Sequence, residues 1–247
     1  MARTLSIWFT SDVHDRRGFG GKLAKLVGPD DLLVDCGDAL RGSSTVYRAR
    51  EGVVEEFARA PYRAQAVGNR EFHYLYRCFA ARAQALPMPL VCTNLEDLRH
   101  RDPSPFVREL RLTVGDVRVR LLALLVPQYR TRSGWERLFG WRFLAPDVAL
   151  SRAFSGGARD SEPEATLLLS HLGLKADRSI AARFGRLSAI LGGHSHDTLT
   201  EPEIVGGVPI VHAGAFARNA GNLVLSLSGE RATVVSYRLH ALTEETT

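Results

Sequence analysis

The sequence is poor in lysine and contains no block of like charges. Of its 32 basic residues only Lys22, Lys25 and Lys175 are lysines, and the arginines are scattered along the chain. The net charge of +5 therefore does not come from a clustered basic stripe of the kind that binds nucleic acid. We expect no nucleic-acid partner, and we attribute the excess of arginine to genome composition or thermal adaptation.

Cysteines are few, and long hydrophobic runs are absent. The three cysteines, Cys36, Cys78 and Cys92, lack metal-type spacing and are expected to be reduced and mostly buried. No stretch approaches the ~18 apolar residues of a membrane-spanning helix, and residues 1–15 show neither a long apolar region nor a small-residue cleavage site. We therefore expect a cytoplasmic protein with no membrane association.

The 247 residues, 45 % of them hydrophobic and 24 % charged, suffice for one large domain or two small ones. Strand-like apolar runs alternate with amphipathic segments at 20–27, 50–60, 74–86 and 176–184, which predicts an α/β fold with a partly parallel sheet. Short loops between the last three apolar runs predict an antiparallel portion near the C-terminus. The Ser- and Gly-rich residues 151–165 are expected to form an exposed loop.

Metal-type side chains follow five of the predicted strands. These segments are Ser11–His14, Asp35–Asp38, Gly68–Glu71, Ser170–Gly173 and Gly192–His196. Because the carboxyl ends of parallel strands meet at one edge of a sheet, residues far apart in sequence can converge there.

Each segment alone has a simpler explanation. His171 by itself is typical of a structural histidine, and Asp12 is typical of a helix cap or turn. Gly37-Asp38 and Gly68-Asn69 are common turn dipeptides. The occurrence of all five segments in this order, each after a strand, favours a shared site.

The ordered set resembles the calcineurin-like metallophosphoesterase superfamily, whose motifs are D-x-H, G-D, G-N-H-[ED], an isolated His and G-H-x-H. The segments SDVHD, VGNREF, PLVCTNLE, LLLSHLGL and Val211–Arg218 are more similar to its 5′-nucleotidase group. The resemblance implies a four-layer αββα sandwich, in which two mixed β-sheets are flanked by helices.

The resemblance also implies the ligands of two divalent metal ions. One ion would be held by Asp12, His14, Asp38 and His196, and the other by Asp38, Asn69, His171 and His194. Asp38 would then bridge the two ions. Oxygen and imidazole ligands suit Mn, Fe or Zn. Two such ions would lower the pKa of a shared water, direct the resulting hydroxide at phosphorus and neutralise the phosphoryl oxygens.

The third motif departs from the family pattern. Arg70 stands where the family has a His that is thought to protonate the leaving oxygen, and His73 stands where some members have Asp. Arg70 can bind a phosphoryl group but is a poor acid, so substrates with acidic leaving groups are favoured. The UDP-diacylglucosamine pyrophosphohydrolase family also carries Arg after G-N and cleaves a diphosphate bond. His73 would replace the donor if a helical turn follows Asn69. Alternatively, Arg70 points to solvent on the first helical turn, and the enzyme is inactive or merely weakened.

The predicted function is hydrolysis of small phosphorylated substrates, namely nucleotide-like mono- or diesters or diphosphates. We expect one domain over residues 1–247, without the C-terminal nucleobase-binding domain of two-domain 5′-nucleotidases. The aromatic residues Tyr47, Tyr74, Tyr129, Trp135 and Trp141 are candidate walls of a substrate pocket. A nuclease of the same superfamily and a non-catalytic metal-binding scaffold remain the alternatives, and the oligomeric state is not predicted.

Overall fold

Two six-stranded mixed sheets form the centre of the molecule. The computed structural model describes residues 3–155, 164–228 and 231–242. The strands are β1 (Arg3–Thr10), β2 (Leu32–Asp35), β3 (Tyr62–Ala66), β4 (Leu90–Val91), β5 (Leu95–Asp97), β6 (Leu110–Val114), β7 (Val117–Leu125), β8 (Trp141–Phe143), β9 (Ala165–His171), β10 (Ala189–Gly192), β11 (Glu203–Val205), β12 (Val208–His212), β13 (Asn219–Ser228) and β14 (Arg231–Ala241). The helices are α1 (Gly20–Leu26), α2 (Val53–Ala58), α3 (Tyr76–Ala85), α4 (Gly134–Phe139), α5 (Pro146–Ser155) and α6 (Leu174–Arg183).

Both sheets contain a run of four parallel strands, and the first sheet has one antiparallel edge and the second has two. The first has the order β14-β13-β1-β2-β3-β4, in which β1 to β4 are parallel and the β13–β14 hairpin is antiparallel. The second has the order β11-β12-β10-β9-β7-β6, with β12, β10, β9 and β7 parallel. Strands β5 and β8 form a separate small ladder. The predicted antiparallel portion near the C-terminus is confirmed by the β13–β14 hairpin.

Side chains alternate between the two faces of each sheet, as the pleat of a strand requires. In β1, Ile7 and Phe9 lie in the core between the sheets, whereas Trp8 packs on the outer face with residues of α1 and α2. In β9, Leu167 lies between the sheets, and Leu168 packs outward with residues of α5 and α6. The predicted four-layer αββα sandwich is therefore confirmed.

Some local predictions need correction. Residues 151–155 belong to α5 and are not loop, because Ala149 and Leu150 anchor this helix in the outer core of the second sheet. Residues 156–163 of the predicted loop lie outside the described residues. Cys36 and Cys92 are buried and Cys78 is half-buried, and all three are free thiols. Among the described residues, no helix is both long and apolar enough to cross a membrane.

The core between the sheets yields a prediction for stability. Leu167 is fully buried there, with Leu121 of β7 and Ala189 of β10 beside it in register. We expect Leu167→Ala to lower the free energy of unfolding by about 2–5 kcal/mol, because it leaves a cavity between two packed layers. Urea denaturation measures the loss. Leu138→Ala on exposed α4 is the matched control, and a loss no larger than the control's would contradict this packing.

Candidate metal centre

The predicted ligands come together where strands of both sheets end. Asp12 and His14 follow β1, Asp38 follows β2 and Asn69 follows β3. From the second sheet, His171 closes β9, and His194 and His196 follow β10. Two groups of donor atoms, each within 4.8 Å of one another, result: Asp12 with His14 and His196, and Asp12 with Asp38 and His171.

The first donor group opens toward solvent. Nε2 of His196 lies 3.1 Å from Nε2 of His14 and 3.5 Å from Oδ1 of Asp12. Asp12 is fully buried, whereas the side chain of His196 is 39 % exposed. A ligand can therefore approach this group from the His196 side.

The second donor group is buried. Nδ1 of His171 donates to the Cys36 carbonyl at 2.9 Å, which turns Nε2 toward Oδ1 of Asp38, 3.3 Å away. Within the described residues this buried Nε2 forms no well-aligned hydrogen bond, although it lies within ion-pair distance of Asp38. A buried nitrogen without a good hydrogen bond lowers the stability of the fold unless a ligand binds it. Together with the carboxylates it forms a donor set suited to Mn, Fe or Zn, so the residues fit a divalent cation.

Asn69 and His194 lie side by side but belong to neither donor group. Nδ2 of Asn69 is 3.3 Å from Nδ1 of His194, and Oδ1 of Asn69 accepts a hydrogen bond of 2.9 Å from Gln128. The amide oxygen is the atom that would bind a cation, so ligation by Asn69 requires its amide to turn over. The carboxylate common to both groups belongs to Asp12, and the bridging role of Asp38 stays a prediction.

Five of the seven predicted ligands have a backbone conformation that is rare outside glycine. Their φ angles are positive: Asp12 51°, His14 52°, Asp38 57°, His194 74° and His196 59°. Such residues persist only where the surroundings fix them, and they cluster at functional sites. The left-handed backbone at these positions independently marks the same edge of the sheets as a site.

Glu71 fixes the position of two ligand loops. Its buried carboxylate accepts hydrogen bonds from the backbone N–H groups of Asp38, Ala39, Leu40 and Gly68, at 2.8 to 3.2 Å. Gly68 must lack a side chain, since a Cβ there would lie 2.3 Å from the Asp38 nitrogen. Sequence reasoning assigned no role to Glu71, although the acidic fourth position of its motif was a signal.

A buried network supports the ligands from the second sheet. Asp177 of α6 accepts hydrogen bonds from Ser170, which directly precedes His171, and from Nε2 of His212 at the end of β12. All three side chains are buried. The network fixes β9 and β12 relative to α6. No sequence signal identified it, because its members come from three separate elements.

The ionisation states of the ligands depend on one another: burial lowers the pKa of His171, but the adjacent Asp38 raises it to about 9, so a metal ion at Nε2 would displace a proton. Burial alone would raise the pKa of Asp38, but the adjacent His171 lowers it to about 2. Burial and the nearby Arg70 lower the pKa of His14 to about 4. At neutral pH Asp38 is therefore ionised and His14 is neutral, which are the states that bind a metal ion.

Arg70 faces the donor groups. Its Nε lies 3.8 Å from Oδ2 of Asp38, and its backbone N–H donates to Oδ1 of Asp38 at 2.8 Å. Nη1 donates to the carbonyls of Arg41 and Gly42 at 3.1 and 3.3 Å. The side chain is 34 % exposed, so it is held beside the ligands and does not extend freely into solvent.

His73 lies just beyond the turn that contains Arg70. A single turn closes from Phe72 N–H to the Gly68 carbonyl and ends before His73, and α3 begins only at Tyr76. His73 could share a face with Arg70, and so act as the proton donor, only if the helix continued past Phe72. The helix does not continue there. Nδ1 of His73 accepts from the Leu75 N–H, and the ring is buried. Its catalytic role stays a prediction.

The Glu71 contacts generate a prediction. In Glu71→Gln one acceptor oxygen becomes an NH2 group, which cannot accept the backbone N–H bonds. We expect a loss of about 1–3 kcal/mol in the free energy of unfolding, because buried donors lose their partner, and weaker binding of Mn or Zn. Urea denaturation and calorimetry measure the two effects. Glu55→Gln, on the exposed face of α2, is the control; equal behaviour of the two variants would refute the role of Glu71.

No family model matches the sequence. Among curated proteins, apyrase of Tabanus yao is 24 % identical over 238 residues, which cover 87 % of this chain and 42 % of the apyrase. The uncharacterized metallophosphoesterase YunD of Bacillus subtilis (strain 168) is 24 % identical over 250 residues, covering 96 % of this chain and 53 % of YunD. The chain thus spans about half or less of the length of these relatives.

Solved structures share the fold over nearly the whole chain. The 5′-nucleotidase precursor from Thermus thermophilus matches with a TM-score of 0.76 and 24 % identity, covering 97 % of this chain and 54 % of that one. The calcineurin-like phosphoesterase YfkN from Bacillus subtilis matches with a TM-score of 0.71 and 18 % identity, covering 100 % and 93 %. The chain therefore has the calcineurin-like phosphoesterase fold, and the resemblance to metallophosphoesterases of the 5′-nucleotidase group that its motifs predict is confirmed.

Proposed function

We propose that the chain is a metal-dependent phosphoric ester hydrolase that acts on small phosphorylated molecules, nucleotide-like esters or diphosphates among them. The observation that carries the proposal is the pair of donor groups that share Asp12, one buried and one open to solvent. The relatives named as an apyrase and a metallophosphoesterase support the same reaction class.

The residues proposed to hold two divalent cations are Asp12, His14, Asp38, Asn69, His171, His194 and His196. Bound there, the cations would activate water and offset the negative charge of the phosphoryl oxygens. The protein itself orients their ligands. The backbone bonds to Glu71 hold the Asp38 loop, and the Cys36 carbonyl fixes the tautomer of His171, with the proton on Nδ1.

Arg70 is the proposed phosphoryl-binding residue. Hydrolysis forms one P–O bond from water and breaks the P–O bond to the leaving group, whose oxygen keeps the electron pair. Negative charge grows on the phosphoryl group during this exchange, and a fixed guanidinium stabilises it. Because Arg70 is held by two backbone carbonyls beside Asp38, it need not reorganise as the charge develops.

The first test removes the proposed bridging carboxylate. We expect Asp38→Asn to abolish metal-dependent turnover of phosphate monoesters, diesters and pyrophosphates, because the amide supplies no charge to hold the cations. Metal analysis accompanies the substrate screen, and Asp30→Asn at an exposed turn is the control. If Asp38→Asn retained most of the turnover while its metal content fell by half, this result would count against the bridging role. If the parent protein were fully occupied by metal and turned over none of these substrates, the non-catalytic metal-binding scaffold would be favoured.

The second test concerns the leaving group. With Arg70 and no proton donor, turnover of bis-p-nitrophenyl phosphate should exceed that of nucleoside monophosphates, whose leaving oxygen is more basic. We expect Arg70→His to reduce the ratio of the two turnover rates, diester over monophosphate, by about 10-fold or more, since general acid catalysis by His is restored. An unchanged ratio would argue against the assignment.

His73→Ala accompanies this comparison. A loss confined to nucleoside monophosphates would assign proton donation to His73, whereas an unchanged ratio of the two substrates would withdraw that role.

A further inference from the structure

Two arginines distant in sequence meet at one aromatic ring beside the donor groups. Arg16 follows the β1 end, and Arg218 precedes β13. Their guanidinium carbons lie 5.5 and 5.9 Å from the centre of the Phe216 ring. Both arginine residues are exposed, whereas Phe216 is half-buried. The structure thus places two positive charges over a single apolar ring.

The Phe216 ring is fixed against the metal centre. Its centre lies 5.2 Å from that of His14 and 5.3 Å from that of His196. Its backbone N–H donates to the Asp12 carbonyl at 2.7 Å, and its φ of 62° is left-handed. The hydrogen bond restrains the Phe216 backbone, and the rings of His14 and His196 pack against its side chain. The two arginines therefore have a defined place next to the open donor group.

Neither guanidinium has an acidic partner. Within residues 3–155, 164–228 and 231–242, neither side chain donates a hydrogen bond or forms an ion pair. Arg101 is paired with Asp97 and Arg178 with Glu203, but other exposed arginines such as Arg63 also lack an acidic partner within the described residues. Arg16 and Arg218 differ from them because they share one ring beside the donor groups. Two unpaired like charges near one ring repel each other, and a bound anion would relieve that repulsion.

Arg70 lies among the same donor groups. It contacts Asp38 and also lowers the pKa of His14, while Arg16 and Arg218 flank the ring beside His14 and His196. One phosphoryl group at the donor atoms can satisfy Arg70. The positive charges of Arg16 and Arg218 at the Phe216 ring can then bind a second anionic group on the same substrate.

We propose that Arg16 and Arg218 form an anion subsite that binds a second phosphoryl group of the substrate, so that diphosphates are preferred over monoesters. The inference rests on the proposed function, because it gives that site a substrate class. Guanidinium groups suit this task, since they make paired, charge-assisted hydrogen bonds to phosphate oxygens. The Phe216 ring holds both groups by cation–π contact before the anion arrives.

The test compares two ligands and two substrates. Calorimetry on the metal-loaded full chain measures the affinities for methylenediphosphonate and for inorganic phosphate. Steady-state kinetics measures kcat/KM for adenosine diphosphate and for p-nitrophenyl phosphate. The variant is Arg16→Gln/Arg218→Gln, and the control is Arg63→Gln, an exposed arginine of β3.

We expect the parent and the control to bind methylenediphosphonate more tightly than phosphate. The double variant should lose about 10–100-fold in affinity for methylenediphosphonate, and its loss of kcat/KM on adenosine diphosphate should exceed its loss on p-nitrophenyl phosphate at least 10-fold. Equal losses on both ligands, or none, would overturn the subsite. If the parent turns over neither substrate, the proposed hydrolase activity fails, while the binding comparison still decides the subsite.

Discussion

The carboxylate of Glu71 is the constraint on which the metal centre depends. It takes four backbone N–H bonds from two loops, one carrying Asp38 and the other beginning at Gly68 before Asn69. Buried N–H groups without acceptors are costly, and the single Glu71 carboxylate accepts all four bonds. The two loops can therefore approach each other closely, to the point where a Cβ on Gly68 would collide with the Asp38 nitrogen. Without this carboxylate, the loop that carries Asp38 would lose three of its hydrogen bonds, and with them part of what positions Asp38 and Arg70, whose N–H donates to Asp38.

The backbone at the site is strained, and contacts between segments maintain the strain. The Asp12 N–H donates to the Gly37 carbonyl and the His14 N–H donates to the Asp38 carbonyl, so the loops after β1 and β2 hold each other. The Asp12 carboxylate in turn accepts the His194 N–H at 2.9 Å, which joins the second sheet to the first. Left-handed conformations at these residues cost energy locally and are retained because the cross-links exclude the alternatives. A preformed, rigid set of donor atoms results.

The arginines around these donor atoms differ in how they are held. Arg70 is fixed by carbonyls beside Asp38, whereas Arg16 and Arg218 lie unpaired over Phe216. The overall excess of arginine gave no indication of this arrangement, because most surface arginines for which contacts are described neutralise nearby carboxylates. Arg16 and Arg218 are distinguished by their shared contact with a ring beside the donor groups, and Arg70 by its place against a predicted ligand. Local charge at a fixed point, and not net charge, points to an anionic substrate.

In the sequence, the alternation of strands and helices predicted an α/β fold, and the strand-end motifs identified the residues that gather at the strand ends, because period and motifs are local properties of a chain. The four-layer arrangement was implied by the family resemblance that those motifs carry. The sequence also singled out Arg70 as a departure from the family pattern. The tertiary structure alone decided that Asp12 belongs to both donor groups, that Gln128 engages the Asn69 oxygen, and that His73 lies outside the turn at Asn69. The tertiary structure also places Arg16 and Arg218 at the same Phe216 ring. These contacts join residues separated by up to about two hundred positions, and only the packing of two sheets against each other, with their loops cross-linked at one edge, specifies them.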